Sequence, residues 1–556
     1  MELPASELMF AVWFMVWGSA TAAFLSLALV DSGIAMRLHD ALRALLSRPP
    51  RALALSALAV LGGALCIRWI ILQGQAVTDD ELTYELIMRT LLEGRVTNSP
   101  AVDPEFLANQ FVIVGTDRWH GKYTIGHPLM LALFESVGLR FMFGAAVGAA
   151  TVVLTYLLGR RVFDEKTATA GALLLAISPQ FIWTHGTELS QPSSAVMMLL
   201  AALLTLRLLE TMQARWALAA GAAWGFGLLV RPMPMAPMIA VAGATYLLHA
   251  RRQRVNITTA AAHVACAGLG VLAGAGAIVA VNAAQSGDPM LSGYHAVHPE
   301  LGLFFNSEGA IANSLGGALL RQSLWLFGWP MSLAFLPFAR SKRHALMFWG
   351  LLAADYLYRV LFPKTVVSVT GPIYVFEAVP LLCLGTAEGA RRVARLLSKL
   401  EVEHARAWVC GVAAAGVFVA TTLFAPPNLR TLFVSGLARS LALARIEKQT
   451  GPRVVVFADE LVDSRLGVTW AYFPPNPSPG LDDDMLFLRL PRGPDGLTRA
   501  WNLWRERYAD RPAVVYVPRG DRGVVFPFQH ERPSAKSELA QAIASQDAAA
   551  STPQGP

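Results

Sequence analysis

A chain of 556 residues that is 54% hydrophobic and only 15% charged cannot hide its apolar surface inside one soluble core, so it is an integral membrane protein. Its net charge of +7 does not point to nucleic acid, because the basic residues are scattered over short connections and never gather on one face. The four cysteines (Cys66, Cys266, Cys383, Cys410) all fall in apolar runs with no metal-ligand spacing, which argues against a disulfide framework.

Taken in order, apolar runs long enough to span a bilayer stand near 8–30, 52–73, 139–159, 167–184, 192–210, 217–231, 235–250, 259–283, 316–338, 344–362, 373–389 and 407–425. These predict about twelve transmembrane helices. The first run follows Glu2 and Glu7 rather than a basic segment, and no small-residue cleavage site follows it, so it is expected to stay as a helix. Arginine and lysine crowd one set of connections, such as Arg37, Arg43, Arg48 and Arg51, Arg160, Arg161 and Lys166, and Arg391, Arg392, Arg395 and Lys399. The alternate set holds few over much longer sequence (Arg89, Arg95, Arg118, Lys122, Arg231, Lys364), which puts both termini and the long loops on the non-cytoplasmic side.

Three segments on that side are too large to be turns: 74–138, 284–315 and everything after Ala425. Elaborated loops on one face point to chemistry there. The expected organisation is an extra N-terminal helix and cytoplasmic loop over 1–51, a transmembrane catalytic domain over 52–425 with its first external loop at 74–138, and a small external α/β domain over 426–532. A disordered tail over 533–556 completes it, since that stretch is rich in Ala, Ser and Gln without apolar period. In the external domain RVVVFA (453–458), MLFLRL (485–490) and AVVYV (513–517) read as strands, with a helix from Leu497 to Tyr508. Asp482, Asp483 and Asp484 lack the alternation and glycine of a calcium loop and read as a solvated turn.

The polar island from Thr78 to Pro128 carries the chemistry-bearing residues. Thr78-Asp79-Asp80-Glu81 followed by LTYELIMRTLL is a helix start, with Leu82, Leu86, Ile87 and Leu91 as an apolar face laid along the membrane surface. Thr78 and Glu81 fit a capping box, and acids suit a helix N-terminus; the functional alternative is a carboxylate, Asp80 with Asp79 as substitute, that takes a proton from an acceptor hydroxyl. Lys122 in WHGKYTIGHP either snorkels to headgroups or holds a phosphate, and Arg231 in LLVRPMPM invites the same two readings. His120, His127, His295 and His298 lie on the same predicted face and, with Asp80 or Glu300, leave room for a divalent metal. None has a tight motif such as H-E-x-x-H, so an ordinary loop histidine is the commoner case for each.

These residues, in this order, resemble the GT-C glycosyltransferase superfamily, in its bacterial branch related to protein O-mannosyltransferases and the lipid A aminoarabinose transferase. Asp80-Glu81, the surface helix, Gly94 to Asn98 and Gly121-Lys122-Tyr123 resemble the first external loop of those enzymes. Leu175 to Pro179, Ser190-Gln191-Pro192, Arg231-Pro232, Gly287 to Tyr294, Leu326 to Pro330 and Gly371 to Glu377 recur in similar order, so the resemblance covers roughly 52–425. It departs at Thr124 and Ile125, where related enzymes often have two prolines, and at Ile373, where an arginine is common. Gln191 stands near where an acid is frequent, with Glu188 the nearest candidate.

The resemblance implies a GT-C-like fold and an inverting sugar transfer, at the external face of a bacterial inner membrane, from a polyprenyl-phosphate-linked donor. The acceptor is an unidentified hydroxyl on glycolipid, polysaccharide or protein. It implies Asp80, Glu81 and Asp79 as catalytic candidates and Lys122, Arg231 and Tyr123 as donor-phosphate contacts. His120, His127, Glu188, Tyr294, His295, Tyr374 and Glu377 are its substrate-contact candidates, and no cofactor is certain. Two other readings stand beside it: a transporter or flippase of a lipid-linked or small substrate, and a catalytically degenerate envelope scaffold. Against the transporter, no internal repeat is visible and the acids concentrate outside the spans; Asp355 is the main acid within one, with Arg359 at i+4 as its simplest partner.

Overall fold

A computed structural model of the chain describes residues 5–297, 310–341, 343–361, 370–458, 474–493, 495–519 and 522–528. The expected tail, His298, Glu300 and Lys364 lie outside the described residues. The protein is a polytopic helical membrane protein with a small C-terminal sheet. Seven described helices are long and apolar enough to cross a membrane: Ala11–Asp31, Pro49–Ile71, Arg140–Val162, Ser190–Thr211, Pro232–Arg252, Ile257–Ser286 and Ala405–Thr450. Two shorter apolar helices, Ala214–Val230 and Ala345–Tyr358, add to them.

The remaining apolar runs are helical but interrupted, for reasons written in their residues. The run at 167–184 breaks into Glu165–Ala176 and Pro179–His185, because Ser178 caps the second piece and Pro179 occupies its first turn. The run at 316–338 stops at Trp325 and turns through Gly328 and Pro330 to a 3-10 turn at Leu336–Phe338. That at 373–389 begins as a 3-10 turn, Ile373–Val375, before the helix Val379–Lys399.

The chain forms two compact units. One comprises Met1–Ile67, Gly138–Ile278 and Leu301–Leu429, and holds most of the apolar helices. Within it small residues let backbones meet, as where a Cβ on Gly225 would stand 2.1 Å from the carbonyl oxygen of Gly270. Asp355 sits at 0% exposure in this unit and accepts a hydrogen bond from the Ala378 amide at 2.8 Å, so it anchors the start of the next helix; the side chain of Arg359 is outside the described residues.

The second unit gathers three separated stretches, Arg68–Val137, Val279–Glu300 and Arg430–Pro556. Its four-stranded sheet has the order β4-β3-β5-β6, where β3 is Val454–Ala458, β4 Met485–Leu488, β5 Ala513–Arg519 and β6 Arg522–Pro527. The pairs β3/β4 and β3/β5 are parallel and β5/β6 is antiparallel. Three of these strands are the predicted apolar runs, and the helix Gly496–Arg507 stands where one was expected; β6 was not read from the sequence.

Both faces of the sheet are covered, which is why its strands read as continuous apolar runs. Val454, Val456, Ala458, Val514 and Tyr516 pack with Ala442 and Ile446 of the helix Ala425–Thr450. The alternate residues Val455, Phe457, Leu486, Leu488, Val515 and Val517 share one core with Leu86, Val102, Phe106, Leu107 and Trp119 of the first loop. The helix Asp79–Leu92 therefore buries part of its apolar face, Leu86, in this core rather than leaving it for lipid. Asp483 is no solvated turn residue: it pairs with Arg89 of that helix at 2.8 Å. Arg499 reaches Asp103 at 2.8 Å and Glu105 at 2.6 Å.

Candidate active site

The helix Asp79–Leu92 begins where Thr78 takes extended backbone and closes a capping box with Glu81. The Glu81 carboxylate accepts from the amides of Val77 at 2.8 Å and Thr78 at 3.2 Å, and lies 3.7 Å from the guanidinium of Arg68. Of the three consecutive acids, Glu81 thus serves the fold. The main-chain carbonyl of Asp79 accepts from the Thr83 hydroxyl at 2.9 Å, while the carboxylate of Asp80 accepts a hydrogen bond from the hydroxyl of Tyr123.

Tyr123 and Lys122 are delivered by a hairpin. Strands β1 (Val112–Val114) and β2 (Trp119–Gly121) pair antiparallel, with Val112 opposite Gly121. Gly121 is pressed on Thr83 and Ile87 of the Asp79–Leu92 helix, so the hairpin's end has one seat. The Lys122 amide then donates to the Phe111 carbonyl at 3.0 Å, turning its side chain into an aromatic cage. Its ammonium lies 3.3 Å from the ring centre of Phe111, 4.9 Å from Tyr123 and 5.4 Å from Tyr294, and the residue is only 7% exposed. This is not a snorkelling lysine. Rings attract the cation through their quadrupoles and hold it in a definite place.

The third wall comes from the distant stretch Val279–Glu300. A Cβ on Gly293 would stand 2.4 Å from the Lys122 carbonyl oxygen, so only glycine permits that approach, and Tyr294 follows it onto the cage. Tyr84 packs 4.6 Å from Tyr123 and 4.6 Å from the ring of His127, which is buried. His120 is buried with its Nδ1 3.1 Å from the Gly121 carbonyl, and burial lowers its pKa below the ordinary histidine value. His295 sits on Ser292, Nδ1 to Oγ 3.0 Å. Burial, and then the neighbouring Asp80, push the Tyr123 phenol well above its usual pKa, so it stays a proton donor to that carboxylate.

The other candidates lie in the membrane unit. Arg231, in extended backbone between the helices Ala214–Val230 and Pro232–Arg252, donates to Glu377 at 2.5 Å. Glu377 is 0% exposed, and its second oxygen has no partner among the described residues. Glu188 is held by Arg140 through two bonds, 3.0 and 2.8 Å. The carbonyl of Tyr374 accepts from the Tyr358 hydroxyl, and that of Pro372 accepts from Gln180 at 3.2 Å. The structure thus unites Asp80, Tyr123, Lys122, Tyr294 and His127 in one unit, and Arg231 with Glu377 in the other. Among the described residues no three His, Cys, Asp or Glu side chains are arranged to hold a metal.

Sequence reasoning missed Phe111, Tyr84 and Arg140. Their only signal was an aromatic or basic residue near a loop candidate, and the rings meet only once the hairpin and Gly293 are folded.

A family model described as dolichyl-phosphate-mannose-protein mannosyltransferase matches residues 122–278. No curated protein matches the sequence. Among solved structures, ArnT from Cupriavidus metallidurans bound to undecaprenyl phosphate is similar with a TM-score of 0.51 at 14% identity, over 87% of this chain and 98% of that one. Its apo form is similar with a TM-score of 0.50 at 16% identity, over 85% and 97%. The family match is confined to 122–278, and the likeness to ArnT, at 14–16% identity, shows that the two chains share a polytopic helical fold.

Proposed function

We propose that the protein transfers a sugar from a polyprenyl-phosphate-linked donor to an acceptor hydroxyl, with inversion, on the external face of a bacterial inner membrane. The observation that carries this reading is the meeting of an acid and a caged cation through adjacent residues: Tyr123 donates to Asp80, and Lys122 precedes it in the chain. Asp80 takes the proton of the acceptor hydroxyl as that oxygen forms a bond to the anomeric carbon. The bond from that carbon to the lipid phosphate breaks, and the phosphate leaves with the electron pair. Lys122 stabilises the leaving phosphate, a contact that strengthens as negative charge develops and so accelerates the step. The undecaprenyl phosphate named for the similar ArnT structure supports a lipid phosphate as leaving group.

The test incubates purified protein with radiolabelled polyprenyl-phosphate sugars and a membrane extract. Label moving to a new acceptor, and failing to move with Asp80→Asn, is the expected result. Donor crossing the bilayer with its sugar bond intact would overturn the reading in favour of a flippase.

A further inference from the structure

The helix Ile34–Leu46 lies between two spans and cannot be one itself. Its thirteen residues rise about 20 Å, short of the hydrocarbon core. Ser32 and Gly33 join it to the span ending at Asp31, and Ser47 and Arg48 join it to the span starting at Pro49. Chain connectivity therefore keeps it at the level where both spans end.

Its faces divide sharply. Ala35 is buried on the side packed against the helix Ala405–Val419. Ile34, Leu38 and Leu42, at i, i+4 and i+8, form a stripe that borders this contact and stays 43%, 42% and 38% exposed. Arg37 and Arg43 project from the same helix, Arg48 and Arg51 follow it, and all four are exposed; Asp40 is the helix's one acid. An apolar stripe with basic neighbours, fixed at the end of two spans, is the pattern of a helix lying in a membrane interface.

We propose that Ile34–Leu46 docks on the bilayer surface and recognises anionic phospholipid, its leucine stripe among the upper acyl chains and Arg37, Arg43 and Arg48 on the phosphates. Charge complementarity selects this occupant: four arginines against one aspartate suit a negative surface. A protein partner for the same face is the competing outcome.

The test is hydrogen exchange on the full-length protein in nanodiscs of phosphatidylcholine alone and of phosphatidylcholine mixed with phosphatidylglycerol. Amides of 34–46 should exchange about fivefold more slowly in the anionic bilayer, the scale of one basic residue near such a surface. The triple substitution Arg37→Gln, Arg43→Gln, Arg48→Gln should abolish the difference, and the corresponding triple lysine variant should keep it. Unchanged exchange in the span 143–162 shows that each variant is folded. Equal exchange of the native helix in both bilayers, or a difference that survives the glutamines, would overturn the proposal and leave the stripe to a protein partner.

Discussion

Substituting Phe111 by leucine tests whether the aromatic cage places the Lys122 ammonium for its work. The ring centre stands 3.3 Å from Nζ, nearer than Tyr123 at 4.9 Å or Tyr294 at 5.4 Å, so of the three rings Phe111 attracts the ammonium most strongly. A desolvated contact of this kind is worth about 2 kcal/mol, close to the rotamer freedom that a fixed lysine gives up. Leucine keeps much of the apolar bulk but has no quadrupole. At tenfold per 1.4 kcal/mol, turnover with a polyprenyl-phosphate sugar should fall about thirtyfold. The loss should appear in kcat rather than in the KM for donor, since the charge remains but no longer waits where the leaving phosphate needs it. Phe111→Tyr should stay near native, whereas Lys122→Ala should lose about a hundredfold to a thousandfold. The assay is the initial rate of label transfer, with a melting curve on each variant to separate chemistry from folding. Native turnover in Phe111→Leu beside an inactive Lys122→Ala would refute the reasoning, because the lysine would then act without the ring.

Asp80→Asn should lower transfer by about a hundredfold to ten-thousandfold without moving the melting temperature, while Asp79→Asn should stay within a few-fold; equal losses would mean that the base is misassigned. Tyr123→Phe deletes a hydrogen bond to a charged group, a loss of about 1.5–3 kcal/mol if it acts on the rate, and should slow transfer by at least about tenfold with the fold intact. Gly293→Ala should lower the melting temperature and the transfer rate together, because its methyl would press on the Lys122 carbonyl. Burial lowers the pKa of His120, so the folded state resists the proton that the unfolded chain takes up near its ordinary value of about 6.5. The resulting stability is fully present above that value and is lost as pH falls toward the folded one. Melting temperature should therefore drop less steeply on acidification in His120→Gln than in the native protein.

How much was legible in the sequence follows from the range of each interaction. Thr78 and Glu81 are three residues apart, so their capping box could be read directly, and the structure closes it. The apolar runs could be read as helices because bilayer thickness sets their length, but Ser178 and Pro179 break one where only capping chemistry decides. Lys122 was visible as a cation and its cage was not, since Phe111, Tyr123 and Tyr294 meet through a hairpin register and a glycine contact set by tertiary packing. Asp483 looked solvated because its partner Arg89 lies on the other side of most of the chain. Arg140, which fixes Glu188, was hidden in the same way.

The unit that carries Asp80 and Lys122 depends on the far end of the chain, and the relative size of the forces says how. The pairs Arg89–Asp483 and Arg499–Asp103 are partly exposed, so each is worth at most about 1 kcal/mol. Burial of a large apolar side chain is worth about 1.5–3 kcal/mol, and Leu86, Val102, Phe106, Leu107 and Trp119 all meet the C-terminal sheet in one core. The shared core, not the ion pairs, therefore joins the loop to the sheet. Leu86 lies on the helix whose first turn holds Asp80, and Trp119 lies on the strand that ends just before Lys122. Each of the two proposed reacting residues is thus within two turns of helix, or three residues of strand, from a side chain fixed by the sheet. The C-terminal strands then belong to the candidate site's rigidity as much as the loop does, which gives a physical reason for this membrane protein to carry a small α/β layer at all.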